Sequence, residues 1–183
     1  MLAPQVLFPR DRRQSPTARA LCRGVCRLLR DHAFAVVSEV QLANGRRADV
    51  VGLSDRGSVW IVEIKSSYED YRSDQKWPLY RDFCDRLFFC VTAAFPRELL
   101  PGDCGLIIAD RYGGEIVRPA PEHKLAAARR KSMMLLVART AAQRLESAID
   151  PQGVQAAPEG LRAPALAGAR RRAPWRRTMR VVV

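Results

Sequence analysis

The segment 46–65, Arg-Arg-Ala-Asp-Val-Val-Gly-Leu-Ser-Asp-Arg-Gly-Ser-Val-Trp-Ile-Val-Glu-Ile-Lys, constrains the fold of this chain more than any other. Asp55-Arg56-Gly57 has the chemistry of a three-residue hairpin loop, a type I turn closed by glycine in the left-handed conformation. If Ser54 pairs with Ser58, the register sets Asp49 opposite Glu63. Lys65 follows Glu63 by two residues and shares its face, because side chains alternate along a strand. Two carboxylates and one ammonium then converge within a few ångströms, near the strand ends.

Three such groups on a strand face usually form a solvated surface or a cross-strand ion pair. Here the neighbours Val59, Trp60, Ile61, Val62 and Ile64 are apolar on both faces, as in a central strand. Charge is costly there unless a partner or a metal answers it. Two adjacent carboxylates repel, and a cation between them relieves the repulsion. Mg²⁺ (with Mn²⁺ as a substitute) suits that place: it takes oxygen ligands, keeps several waters, and often uses one or two carboxylates plus a substrate phosphate. Such an ion polarises phosphate and lowers the pKa of bound water. Lys65 beside it would orient or deprotonate that water, or neutralise charge in the transition state. Phosphodiester hydrolysis needs these parts.

The surrounding pattern predicts one α/β domain with a mixed sheet. Residues 1–14, with two prolines and Arg10-Asp11-Arg12-Arg13, are expected to be a flexible arm. From Ser15 the pattern turns helical: Ser15 caps, Pro16 takes the first position, and Ala20, Leu21, Val25, Leu28 and Leu29 share a face. Strands are expected over 34–42, 47–53 and 58–65, with partly helical chain over 67–84 and Pro78 opening a short helix. Further strands are read at 86–93, 104–110 and 114–118. A helix over 122–149 closes the domain, with Leu125, Ala128, Ser132, Leu135, Ala142, Leu145 and Ile149 near one stripe. The domain is thus 15–149, and 150–183 is a basic tail of Arg, Ala and Pro expected to be disordered. Trp175, between Pro174 and Arg176-Arg177, could stack on a base, although a solvated tail is the simpler expectation.

Lys and Arg total 31 against 19 acids, a formal charge of +12, and arginine predominates. That balance attracts polyanions, nucleic acid above all, although a GC-rich genome also enriches arginine. The five cysteines form no C-x-x-C pair, which points to buried free thiols in a reducing compartment rather than to a disulfide or zinc scaffold. The longest mainly apolar run, 87–95, is too short to span a membrane, and the chain is expected to be cytoplasmic, nucleoid-associated when on DNA, with no membrane partner. His32 reads as a helix-end residue and His123 as a cap-region residue. Trp77 reads as a core or lid residue.

Asp49, a hairpin, then Glu63-Ile64-Lys65 resembles the D…(D/E)-x-K signature of the PD-(D/E)XK nuclease superfamily, and the order helix, three strands, helix, strand over 15–93 matches its restriction-endonuclease-like core. Longer stretches resemble the MmcB family of DNA-repair endonucleases: Gly45-Arg46-Arg47-Ala48-Asp49, Glu63-Ile64-Lys65-Ser66-Ser67, Asp74-Gln75-Lys76-Trp77-Pro78-Leu79-Tyr80, Cys84-Asp85-Arg86-Leu87-Phe88-Phe89, Gly105-Leu106-Ile107-Ile108-Ala109-Asp110 and the run from His123-Lys124-Leu125 to Arg129-Arg130-Lys131. The likeness covers about 15 to 147.

The resemblance implies that Asp49 and Glu63 bind the metal and that Lys65 positions the water. Members often take a further acid from the first helix. Segment 16–30 holds none, and Glu39 on the first strand is the candidate replacement. Lys76 is an accessory or phosphate-contacting candidate, and Ser66 a DNA-contacting one. Arg46 and Arg47 either hold substrate phosphate or form a solvated turn. Gln75 and Tyr80 carry one residue too many between them for the Gln-x-x-x-Tyr helix of RecB-like members. The implied function is a DNA-repair endonuclease. The alternative is a protein that keeps the fold but only binds DNA, or serves as an adaptor for repair-protein partners.

Overall fold

A computed structural model of the chain describes residues 14–74 and 76–151. Its elements run α1 (Pro16–Asp31), β1 (Phe34–Gln41), β2 (Arg47–Ser54), β3 (Val59–Ile64), α2 (Tyr68–Ser73), a 3₁₀ segment (Trp77–Phe83), β4 (Arg86–Val91), a short 3₁₀ turn (Arg97–Leu99), β5 (Gly105–Ala109), β6 (Gly114–Arg118) and α3 (Ala127–Ile149). The fold is mixed α+β. Gln75, most of the expected arm and most of the expected tail, Trp175 included, lie outside the described residues.

The six strands form one sheet in chain order. β1, β2 and β3 are antiparallel, β3, β4 and β5 are parallel, and β6 returns antiparallel to β5. The antiparallel start follows from short turns. Gly57 sits at φ +77 and its N–H donates to Ser54 O, while Ser54 N–H donates to Ser58 O at 3.0 Å. Val50 therefore faces Val62 and Leu53 faces Val59, the register expected from the loop. A parallel step needs a crossover of a dozen or more residues. The chain between β3 and β4 supplies one, carrying α2 and the first 3₁₀ segment.

Each sheet face has its own apolar layer. On one, α1 places Leu21, Val25 and Leu29 over Val50, Val62, Phe88 and Ile107. On the other, Tyr80, Phe83, Leu125, Met133 and Val137 cover Val51, Ile61 and Phe89. Burying each such side chain is worth about 1.5–3 kcal/mol. Ser15 caps α1 by accepting the Ala18 N–H at 3.0 Å, with Pro16 at the helix start. All five cysteines are free and buried. Trp77 packs edge-on to Phe89, with ring centroids 5.4 Å apart. His32 caps the end of α1.

Two expectations for the last helix are corrected. It begins at Ala127, not near 122, because the preceding segment is extended and pinned to Asp85: His123 N–H donates to Asp85 O at 2.7 Å and Leu125 N–H to its Oδ1 at 2.9 Å. The buried face is also different. Met133 and Val137 point inward, whereas Leu135, Leu145 and Ile149 are exposed. Two arginines set this rotation. Arg130 grips the carboxylate of Asp85 with both terminal nitrogens, each at 2.7 Å, and Arg144 donates to the carbonyls of Ser38 and Glu39.

Candidate functional site

The β2–β3 ladder stops at Val50 and Val62, and side chains take over one rung later. Ile64 N–H donates to Asp49 Oδ2 at 2.8 Å, and Asp49 N–H makes a longer contact, 3.4 Å, to Glu63 Oε1. Lys65 lies just past the end of β3, its own N–H bonded to Cys90 O of β4 at 2.9 Å. Glu63 and Lys65 are each 3% exposed. All three groups line a cleft of about 370 Å³, together with Ser15, which caps α1, Ala18 of α1, and Asp70, Asp74 and Tyr80 of the crossover.

The electrostatics follow from this crowding. Burial pushes the Asp49 carboxyl up to about 6, opposed by the Ile64 amide and Lys65 and reinforced by Glu39 and Asp70. Burial also holds Glu63 well above the usual carboxylate range, with the charge of Asp49 adding to it. Burial works against the Lys65 ammonium, yet its hydrogen bond to Asp74 and the charges of Asp74 and Glu63 leave the group above its ordinary value. The Lys65 Nζ to Asp74 Oδ2 distance is 2.5 Å. Lys65 is held here as a cation and a donor.

The remaining sequence candidates divide. Ser66 lines the cleft and donates both its N–H (3.0 Å) and its hydroxyl (3.1 Å) to Asp70 Oδ2. Arg47 lines it as well, with Nε 2.7 Å from Glu39. Glu39 itself lies beside the cleft, bound to Arg47 and to the Gln14 side chain, close enough for its charge to act on Asp49. Its backbone is unusual: φ is +53, a region disfavoured for any residue with a side chain. That kink also exchanges sheet faces, since Val37 and Val40, an odd number of residues apart, enter the same core. Arg46 is partly buried, near enough to act on Asp74 and Tyr80. Lys76 is exposed and is not among the cleft-lining residues. His123 is exposed away from this cleft.

Sequence reasoning did not single out Asp70 or Asp74. Asp70 had a signal: Ser67-x-x-Asp70 is a helix-start pattern, and the Ser67 hydroxyl does accept the Asp70 N–H at 3.2 Å. Asp74 opens one of the family-resembling segments but was given no role, because that role depends on where the end of α2 falls relative to Lys65. Tyr80 was noted for a motif it does not fit. It lines the cleft and donates its hydroxyl to Arg47 O at 3.1 Å.

The donor set fits a hard divalent ion. Asp49 uses one oxygen on the Ile64 amide, Glu63 one on the Asp49 amide, and each carboxylate retains a second oxygen. Mg²⁺ needs no more than two carboxylates when water and phosphate complete its shell. Among the described residues no group of three or more His, Cys, Asp or Glu is arranged to hold a metal.

Comparison with known proteins identifies the family of the chain. Residues 7–152 match the family described as DNA repair protein MmcB-like. The chain belongs to the MmcB-like DNA repair family. Among solved structures, SPO1766 from Silicibacter pomeroyi, described as a protein of unknown function, is similar: 48% identity, a TM-score of 0.73, and coverage of 77% of this chain and 96% of that one. No curated protein matches. For this MmcB-like chain, no helix among the described residues is long and apolar enough to cross a membrane.

Proposed function

We propose that this MmcB-like protein is a DNA-repair endonuclease of the PD-(D/E)XK type, hydrolysing a DNA phosphodiester with Mg²⁺ or Mn²⁺ as cofactor. One observation carries the reading. Asp49, Glu63 and Lys65 crowd into the end of a sheet where two of them are 3% exposed and where the carboxylates repel one another. Such crowding destabilises the fold unless a ligand answers it, and strain of this kind collects at functional sites.

Asp49 and Glu63 would hold the ion through their second oxygens, their first being fixed by backbone amides. Bound there, the ion would polarise the phosphate and lower the pKa of an attacking water. Lys65 acts as a donor and a fixed positive charge toward the oxygens that gain charge in the transition state, a role its partner Asp74 favours over that of a base. Arg47, which lines the cleft, and Arg46, near Asp74, hold the flanking phosphate. Ser66 fixes the chain after Lys65 through Asp70 and lies within reach of the same strand. Glu39 supports the site through Arg47 and its charge on Asp49. Lys76 serves as an outer phosphate contact.

A second reading, a DNA-binding or adaptor protein that keeps the fold, draws on the formal charge of +12, which attracts nucleic acid without cleavage. Incubating the protein with duplex, nicked, flapped, branched and single-stranded DNA in Mg²⁺, Mn²⁺ or EDTA separates the two. Metal-dependent cleavage by the native chain, absent in Asp49→Ala and Lys65→Ala, is the expected result. Salt-sensitive binding without cleavage in all three proteins supports the second reading.

A further inference from the structure

Across the first turn of α1 from the cleft lies a larger hollow of about 820 Å³, walled by Pro16, Ala20, Ala93, Ile108 and Ala109 and bordered by Tyr112. Ser15 and Ala18 face the cleft, while Pro16, Thr17, Ala20 and Leu21 face the hollow, so one helical turn divides them. Because β3, β4 and β5 are parallel, Lys65, Thr92 and Asp110 all follow strand ends on the same edge of the sheet. In open α/β sheets that edge is where ligands bind.

The turn between β5 and β6 is fixed from three sides. Asp110 Oδ1 accepts the N–H groups of Tyr112 (2.7 Å) and Gly113 (3.0 Å). Arg27 donates to the carbonyls of Arg111 (2.8 Å) and Tyr112 (3.1 Å). Gly24 lets α1 pack against the turn, since a Cβ there would fall 2.1 Å from Asp110 O and 2.5 Å from Gly113 O. This firm turn presents Tyr112 at 65% exposure, with the Arg111 guanidinium 4.5 Å from its ring centroid. An aromatic ring so exposed adds little to the core, so packing does not explain why the turn is held so firmly.

We infer that the hollow is a subsite for an unpaired nucleobase, with Tyr112 as its stacking platform and Arg111 as the accompanying cation. The inference rests on the nuclease reading for the identity of the strand, whose phosphate enters the adjoining cleft. Flat apolar walls with an exposed tyrosine and an arginine match the way bases of single strands are held. The acids at the rim, Asp110 and Glu115, disfavour a phosphate in the hollow itself. The substrate class is therefore DNA with a single-stranded or extruded nucleotide beside the scissile bond, rather than uninterrupted duplex.

The test is fluorescence anisotropy with the full chain in EDTA, where binding is read without cleavage. Native protein, Tyr112→Ala and Tyr112→Phe are titrated with a labelled single strand, the same sequence as duplex, and a single strand of abasic residues. Tyr112→Ala is expected to weaken single-strand binding about tenfold, with duplex binding unchanged and Tyr112→Phe close to native. The native chain should bind the abasic strand as weakly as Tyr112→Ala binds the normal one. Equal affinity of native and Tyr112→Ala for the single strand overturns the subsite, as does an equal loss on single strand and duplex. Cleavage in Mg²⁺ is scored separately: Tyr112-dependent binding without cleavage removes the nuclease reading and leaves the subsite, and cleavage without Tyr112 dependence does the reverse.

Discussion

Asp49 and Glu63 stand opposite each other at the first rung beyond the β2–β3 ladder, and each uses a carboxylate oxygen to accept a backbone N–H from the other strand: Asp49 from Ile64, Glu63 from Asp49 itself. The hairpin is thereby closed by the same side chains that would hold a metal. Both carboxyls are pushed upward by burial, and the charge of Asp49 adds to the rise at Glu63. Two buried carboxyls this close put the end of the hairpin under electrostatic tension.

That tension gives a pH dependence of known sign. The folded chain keeps a proton on Asp49 up to about 6, against an ordinary value of 3.8. A raised pKa contributes stability below the unfolded value, and this contribution is lost as pH rises through the folded one, in total about 2–3 kcal/mol. Glu63 shifts in the same direction. Asp49→Asn keeps an acceptor for the Ile64 amide but cannot ionise. In EDTA its unfolding midpoint should therefore gain on that of the native chain between about pH 4 and pH 6, then hold its lead. An advantage that stays constant across that range would show that Asp49 ionises freely in the folded state.

Mg²⁺ should stabilise the native chain in proportion to its occupancy, because a ligand that binds only the folded state adds RT ln(1 + [L]/Kd). A rise of about 3 °C or more in Tm at saturating ion is expected, absent in Asp49→Asn and reduced in Glu63→Gln. A thermal shift of the same size in all three proteins would place the ion elsewhere.

Glu39 offers a test of strain. Its φ of +53 disfavours any residue with a Cβ, whereas its carboxylate is held by Arg47 and Gln14. Glu39→Ala loses the carboxylate and keeps the strain, whereas Glu39→Gly loses both. Glu39→Gly should be the more stable of the two by about 1 kcal/mol, measured by denaturant unfolding. Equal stabilities would mean that the backbone relaxes when the side chain is removed.

Asp85 organises the other face. Its carboxylate accepts from Val59 N–H, Leu125 N–H and both terminal nitrogens of Arg130, at 2% exposure. Removing one partner of a buried pair leaves the other uncompensated, at a cost of about 3–5 kcal/mol. Asp85→Ala should lower stability by that amount and loosen α3. A change of under about 1 kcal/mol in the denaturant midpoint, with near-native protection of α3 amides from exchange, would show that Arg130 finds solvent instead.

The hairpin register, the capped first helix, the strands β1 to β6 and the meeting of Asp49, Glu63 and Lys65 were all legible in the amino-acid sequence, because each depends on local rules: turn chemistry, strand alternation and a glycine at positive φ. The face of α3 was not. Its apolar stripe through Leu135, Leu145 and Ile149 is a sound helical pattern, yet Arg130 and Arg144 turn a different face inward by binding Asp85 and the β1 carbonyls. The start of that helix was hidden for the same reason, since Asp85, distant in sequence, takes the amide of Leu125 on its carboxylate and that of His123 on its carbonyl. Asp74 on Lys65, Glu39 on Arg47 and the two hollows flanking α1 likewise belong to tertiary structure. Local sequence determines which strands form and which side chains alternate to each face. Which buried charges find one another across α2, α3 and the sheet end depends on long-range packing, because a buried charge takes whatever partner the assembled chain brings within hydrogen-bonding distance.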